Sequence, residues 1–139
     1  MRKLSTEKRA MILTALCEGN SVSATARMTG ASKVTVLRLL ADAGTLAAQY
    51  HDLYVRDIEP SSIQVDELWS FVGCKERTKA TKGGKGHGDA WVWVAIDSDT
   101  KLVISYLVAD RSGLAARMFM DDVADRVVGR VQLTSDGLA

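Results

Sequence analysis

Ile63-Gln64-Val65-Asp66-Glu67-Leu68-Trp69-Ser70-Phe71-Val72-Gly73 is the stretch that decides the fold. Ile63, Val65, Trp69 and Phe71 alternate with polar neighbours, the period of a half-buried strand, immediately after a helical pattern stopped by Pro60. Downstream, Ala90-Trp91-Val92-Trp93-Val94-Ala95-Ile96 is apolar on both faces and reads as an interior strand. Asp97-Ser98-Asp99-Thr100 is a turn, and Leu102 to Val108 is the returning strand. From Ser112 to Val128 the period is helical again, through Leu114, Met118, Phe119, Met120, Val123 and Val127, until Gly129. Val131 to Thr134 is then a fourth strand. The order β-β-β-α-β lets that strand cross over and pair beside the first.

Two acids sit where these strands deliver them. Asp66 lies inside the first, and Asp136 closes Val131-Gln132-Leu133-Thr134-Ser135-Asp136-Gly137 at the end of the fourth. Carboxylates on adjacent strands can hold divalent metals for phosphodiester chemistry, usually with a third acid from further along the chain. Glu67 belongs by alternation to the opposite face of the strand and is not counted as a ligand. Asp97 and Asp99 are assigned to their turn, and Trp69, Trp91 and Trp93 to the core.

Upstream, residues 1–44 read as a tri-helical unit. Ser5 or Thr6 caps a helix with Met11, Ile12, Ala15, Leu16 and Cys17 on its apolar stripe, ended by Gly19-Asn20. Ser21 or Ser23 starts a second helix, and Thr29-Gly30-Ala31 is a tight turn. Ser32 caps a third helix whose apolar positions are Val34, Val36, Leu37 and Leu40. Helix, short helix, Gly-containing turn and helix make the helix-turn-helix plan, whose last helix enters the major groove. Ser32, Lys33, Thr35 and Arg38 are the side chains placed to meet phosphates or base edges. Residues 45–60 read as a linker helix carrying Leu46, Tyr50, Leu53 and Tyr54, with His51 beside the stripe. Pro60-Ser61-Ser62 is the expected boundary to a domain spanning 61–139.

Charge supports the same division of labour. Net charge is only +1, yet residues 1–38 hold seven basic side chains, Arg2 and Lys3 among them, against Glu7 and Glu18. That imbalance suggests a localised nucleic-acid footprint. A second basic run, Lys75, Arg77, Lys79, Lys82 and Lys85, lies in a glycine-rich loop between the first two strands and can follow a phosphate backbone. Gly83-Gly84-Lys85-Gly86 is no phosphate cradle, because no helix N-terminus follows it. Cys17 and Cys74 form no C-x-x-C pair, which suits a reducing compartment. No apolar run approaches the roughly 20 residues that span a bilayer, and the first residues lack a signal peptide's apolar stretch. The expectation is a cytoplasmic, nucleoid-associated protein without a membrane partner.

Val65 to Gly73, Gly88 to Asp97 and Leu133 to Gly137 together resemble the insertion-sequence transposases of the IS1 family. The resemblance covers roughly residues 60–139 in three separated motifs, and helix-turn-helix domains are what such proteins carry to find their element's ends. It implies an α/β domain that is the opening part of a ribonuclease-H-like fold. It also implies a DDE-type enzyme using Mg2+ for strand cleavage and transfer on insertion-sequence ends and target DNA. Asp66 matches the first catalytic, metal-binding acid and Asp136 the second. The third, a glutamate on a later helix, has no counterpart before Ala139, and a cysteine-containing zinc motif common in the family is missing. The expectation drawn is a C-terminally truncated transposase that does not cleave or join DNA by itself. The alternative is a non-catalytic helix-turn-helix protein that competes for element ends. The oligomeric state is left open, a homo-oligomer included.

Overall fold

Serine hydroxyls start the first helices where the sequence places them. In the computed structural model, which describes residues 4–136, Ser5 accepts from the Lys8 amide and opens α1, Thr6–Cys17. Ser21 accepts from Ala24 and opens α2, Val22–Thr29. Ser32 accepts from the Thr35 amide at 3.1 Å and opens α3, Lys33–Tyr54. Each cap satisfies an amide that the first turn leaves without an intrahelical partner. At the other end of α2, Gly30 closes the helix in the left-handed region at φ +65, which a glycine adopts without side-chain strain.

The chain divides into two compact units, Met1–Tyr54 and Val55–Ala139. In the first, Ile12, Ala15, Thr25, Thr29 and Val36 are buried. Several sequence expectations are corrected here. Met11 and Cys17 are exposed, and so are Val34, Leu37 and Leu40, because Val36 alone of the four apolar positions expected on α3 turns inward. The third helix and the linker helix are one continuous helix, since nothing between Arg38 and Tyr54 breaks the backbone pattern and Gly44 is tolerated inside it. The units therefore divide after Tyr54 rather than at Pro60-Ser61-Ser62. Leu46, Tyr50, Leu53 and Tyr54 are exposed within their unit.

The second unit is mixed α/β. β1 (Ser62–Val72), β2 (Gly88–Asp97), β3 (Val103–Ala109) and β4 (Gln132–Ser135) form a sheet in the order β3-β2-β1-β4. β1 pairs antiparallel with β2 and parallel with β4, as the crossover expectation requires. The 3-10 turn Glu76–Thr78 and a single helical turn, α4 (Lys79–Lys82), occupy the basic connection between β1 and β2. The crossover is α5, Gly113–Arg126, capped by Ser112 and ended at Val127, two residues before the expected Gly129.

Ala115, Phe119 and Val123 lie at i, i+4 and i+8 of α5 and bury against Ile63, Trp93, Ala95 and Ile104 of the sheet. Leu114 and Met118, expected on that stripe, face away; Leu114 is 70% exposed. A register shift at Ala95/Ile96 lets the consecutive Ile104 and Ser105 both bury, which strict alternation forbids. Asp97 and Asp99 serve their turn as expected. Asp97 accepts from the Asp99 amide and the Thr100 hydroxyl, and these bonds hold its carboxyl below the ordinary range. Among the described residues no helix is long and apolar enough to cross a membrane. Gly137 of the second acidic motif, and Arg2 and Lys3 of the basic segment, lie outside the described residues.

Arg126 is the one buried arginine of this unit's described residues. Its Nε donates to Asp122 at 2.7 Å and its Nη1 to the Val55 carbonyl at 3.1 Å, which ties α5 to the start of the unit. Burial pushes the Asp122 carboxyl up, but hydrogen bonds from Arg126 and Ser105, with the charges of Arg126 and Arg56, outweigh it and leave the pKa lowered. A lowered carboxylate contributes stability above its unfolded pKa of about 3.9, and that contribution is lost as pH falls through the folded value. Asp122→Ala takes a carboxylate partner from a buried guanidinium. Because Asp122 is itself partly open to solvent, the expected loss is about 2 kcal/mol, below the ~3–5 typical of a fully buried pair. Urea melts at pH 7 and pH 3 check this: the gap between wild type and variant should shrink in acid.

Candidate metal centre

Among the described residues β1 and β4 pair over Ser62–Val65 and Gln132–Ser135, and Asp66 and Glu67 follow directly on β1. Asp136 leaves the end of β4 in a bend beside them. Alternation places Asp66 with Gln64 on the face away from α5, while Glu67 lies opposite Trp93 on the α5 face. The three carboxylates nevertheless come together beside the end of β4. Each offers an oxygen, and these oxygens all lie within 4.8 Å of one another.

Asp66 and Asp136, both expected as ligands, are thus brought together. Glu67, set aside as a ligand because alternation puts it on the other face, does lie on that face, yet its carboxylate reaches the same cluster. The signal available in the sequence was the acidic dipeptide itself.

The partners of these acids are sparse. Asp66 Oδ1 accepts the Glu67 backbone amide at 2.7 Å. Glu67 lies 3.9 Å from the Arg111 guanidinium, a distance that gives attraction without a close hydrogen bond. Asp66 and Asp136 are exposed, whereas Glu67 is half-buried. An apolar cleft walled by Trp93, Phe119, Met120 and Leu133 opens beside the carboxylates on the α5 side. The donor set is entirely hard oxygen, with neither imidazole nor thiolate, and it fits Mg2+, Mn2+ or Ca2+ better than Zn2+.

The expected DNA-contacting residues fall on both units. In the first, Lys33 and Arg38 are exposed on α3. Ser32 and Thr35 are committed to the helix start, their hydroxyls 2.8 Å apart and the Ser32 oxygen also holding the Thr35 amide. In the second, Arg77, Lys82 and Lys85 are exposed, while Lys79 pairs with Glu76 at 3.2 Å. Lys75 is half-buried and lies over the Trp69 ring, 4.7 Å from its centroid. The expectation that all three tryptophans belong to the core holds for Trp93 alone. Trp91 is half-buried and Trp69 is 43% exposed, because α5 covers the sheet over Trp93 and not as far as Trp69.

Neither a scan against models of protein families nor a search of curated proteins finds a match for this chain.

Proposed function

We propose that this chain is a DNA-transposition protein: its first unit binds duplex DNA, and the acidic edge of its second holds a divalent cation for phosphodiester cleavage and transfer. The observation that carries the reading is the convergence of Asp66, Glu67 and Asp136 where β1 runs on from its pairing with β4. The resemblance of three motifs to insertion-sequence transposases of the IS1 family supports it. So does the sheet order, with β4 parallel to the central β1, which a ribonuclease-H-like domain requires. The capped three-helix order, with a glycine turn before α3, supports a helix-turn-helix.

In this reading Asp66 and Asp136 would hold Mg2+, with Glu67 as a third carboxylate shared with Arg111. When bound, the cation supplies Lewis acidity at the phosphate oxygens and makes water a stronger nucleophile near neutral pH. The chain's own residues do the rest. Arg111 is a cation beside the site for a scissile phosphate. The apolar cleft at Trp93 and Phe119 limits water on one flank. Lys33 and Arg38 hold the duplex through its backbone. In this reading Glu67 would supply the third carboxylate whose absence led to the expectation of inactivity.

Supercoiled plasmid carrying candidate element ends, incubated with the full chain and Mg2+ or Mn2+, tests the proposal. Nicked circles that need the metal and vanish with a chelator are expected. Duplex binding without any nicking would instead favour the non-catalytic reading, for which the separateness of the first unit speaks.

A further inference from the structure

Beyond the carboxylates, the same face of β1 continues as Trp69 and Phe71, each two residues and so about 7 Å further along the strand. Both are large aromatics left open, at 43% and 45% exposure, with ring centroids 5.8 Å apart. Trp69 stands directly opposite Trp91 in the register. Each tryptophan carries a cation. Lys75 Nζ is 4.7 Å from the Trp69 ring centroid, and Arg111 Cζ is 5.1 Å from that of Trp91. Arg111 is also the neighbour of Glu67, so the row runs without interruption from the acidic edge to the basic connection.

An exposed aromatic pair can take an occupant, and the surroundings say which. Lysine is depleted at the centres of protein–protein interfaces, where aromatics gather. Here Lys75 lies on the ring itself, and Arg77 and Lys82 follow in the next turns. Flat π-faces bordered by cations match a ligand that is itself a flat ring joined to an anion, which is a nucleotide. A duplex hides its base faces in the stack, so the ligand must be unpaired. Resting on the DNA reading above, we propose that Trp69, Phe71 and Lys75 form a ledge that stacks an unpaired base of single-stranded DNA next to the acidic edge, with Arg111 toward its phosphate.

The test titrates the full chain, in metal-free buffer, with fluorescein-labelled duplexes that are blunt or carry a short thymidine tail. Anisotropy and tryptophan quenching are read together. Wild type should prefer the tailed duplex and lose tryptophan emission on binding it. Trp69→Ala should weaken tailed-duplex binding about tenfold and leave the blunt duplex unchanged, and Trp69→Phe should restore most of the difference. Sedimentation and thermal melts of each variant report assembly and folding. If Trp69→Ala melts like wild type and still prefers the tail, the ledge is wrong and the DNA reading stands. Failure to bind either duplex overturns both. A Trp69→Ala change in sedimentation, with DNA affinity intact, makes the patch a contact between copies and overturns the ledge. Stronger binding of the same tail as RNA overturns the choice of DNA.

Discussion

Asp66→Asn should abolish metal-dependent nicking, lowering its rate at least a hundredfold, and Asp136→Asn should do the same. Both carboxylates are exposed and touch little besides the Glu67 amide, so neither substitution removes core packing. What each removes is a negative charge from a site whose attraction for the cation is that charge. Losing even an outer partner of a metal ligand costs roughly 10–100-fold in affinity or activity, and a direct ligand should cost more. Glu67→Gln should be milder, because Arg111 competes for that carboxylate. The check is a nicking time course at saturating Mg2+, with thermal melts beside it to show that the variants fold. Equal rates in wild type and Asp66→Asn would place the chemistry elsewhere.

Replacing Lys33 and Arg38 together by alanine should weaken duplex binding by about 1 kcal/mol or more. Both side chains are exposed on α3, whose start is held by Ser32 irrespective of them, so the helix should survive the change. If each contacts one phosphate, the slope of log affinity against log salt should shallow by roughly 2, since about 0.9 counterion is released per contact. Fluorescence anisotropy of a duplex across a salt series measures both quantities. An unchanged slope would mean that these residues do not face the backbone of DNA.

The fold of the second unit was legible because its signals are local. The doubly apolar run around Trp93 reads as an interior strand, and it lies inside the sheet between β1 and β3. The turn at Asp97 carries its own hydrogen-bonding side chains, and they make the bonds their types predict. The crossover rule then left the fourth strand few places other than beside β1. Faces were less legible than elements. Leu114 and Met118 have the right spacing and the wrong side, since a helix with apolar residues around more than one face does not say which one packs. Val34, Leu37 and Leu40 fail for the same reason. Glu67 was set aside by alternation alone, which gives the face of a residue and not how far a long side chain reaches towards acids on a neighbouring strand. Trp69 was assigned to the core on residue type alone, and the reach of α5 along the sheet cannot be read from type.

Mn2+ binding to the full chain, followed by the loss of free-ion electron paramagnetic resonance signal, tests the central claim most directly. The acidic edge should bind the ion saturably, Mg2+ should compete, and Asp66→Asn and Asp136→Asn should each weaken binding by more than tenfold. Wild type and both variants titrating alike would contradict a metal centre at Asp66, Glu67 and Asp136.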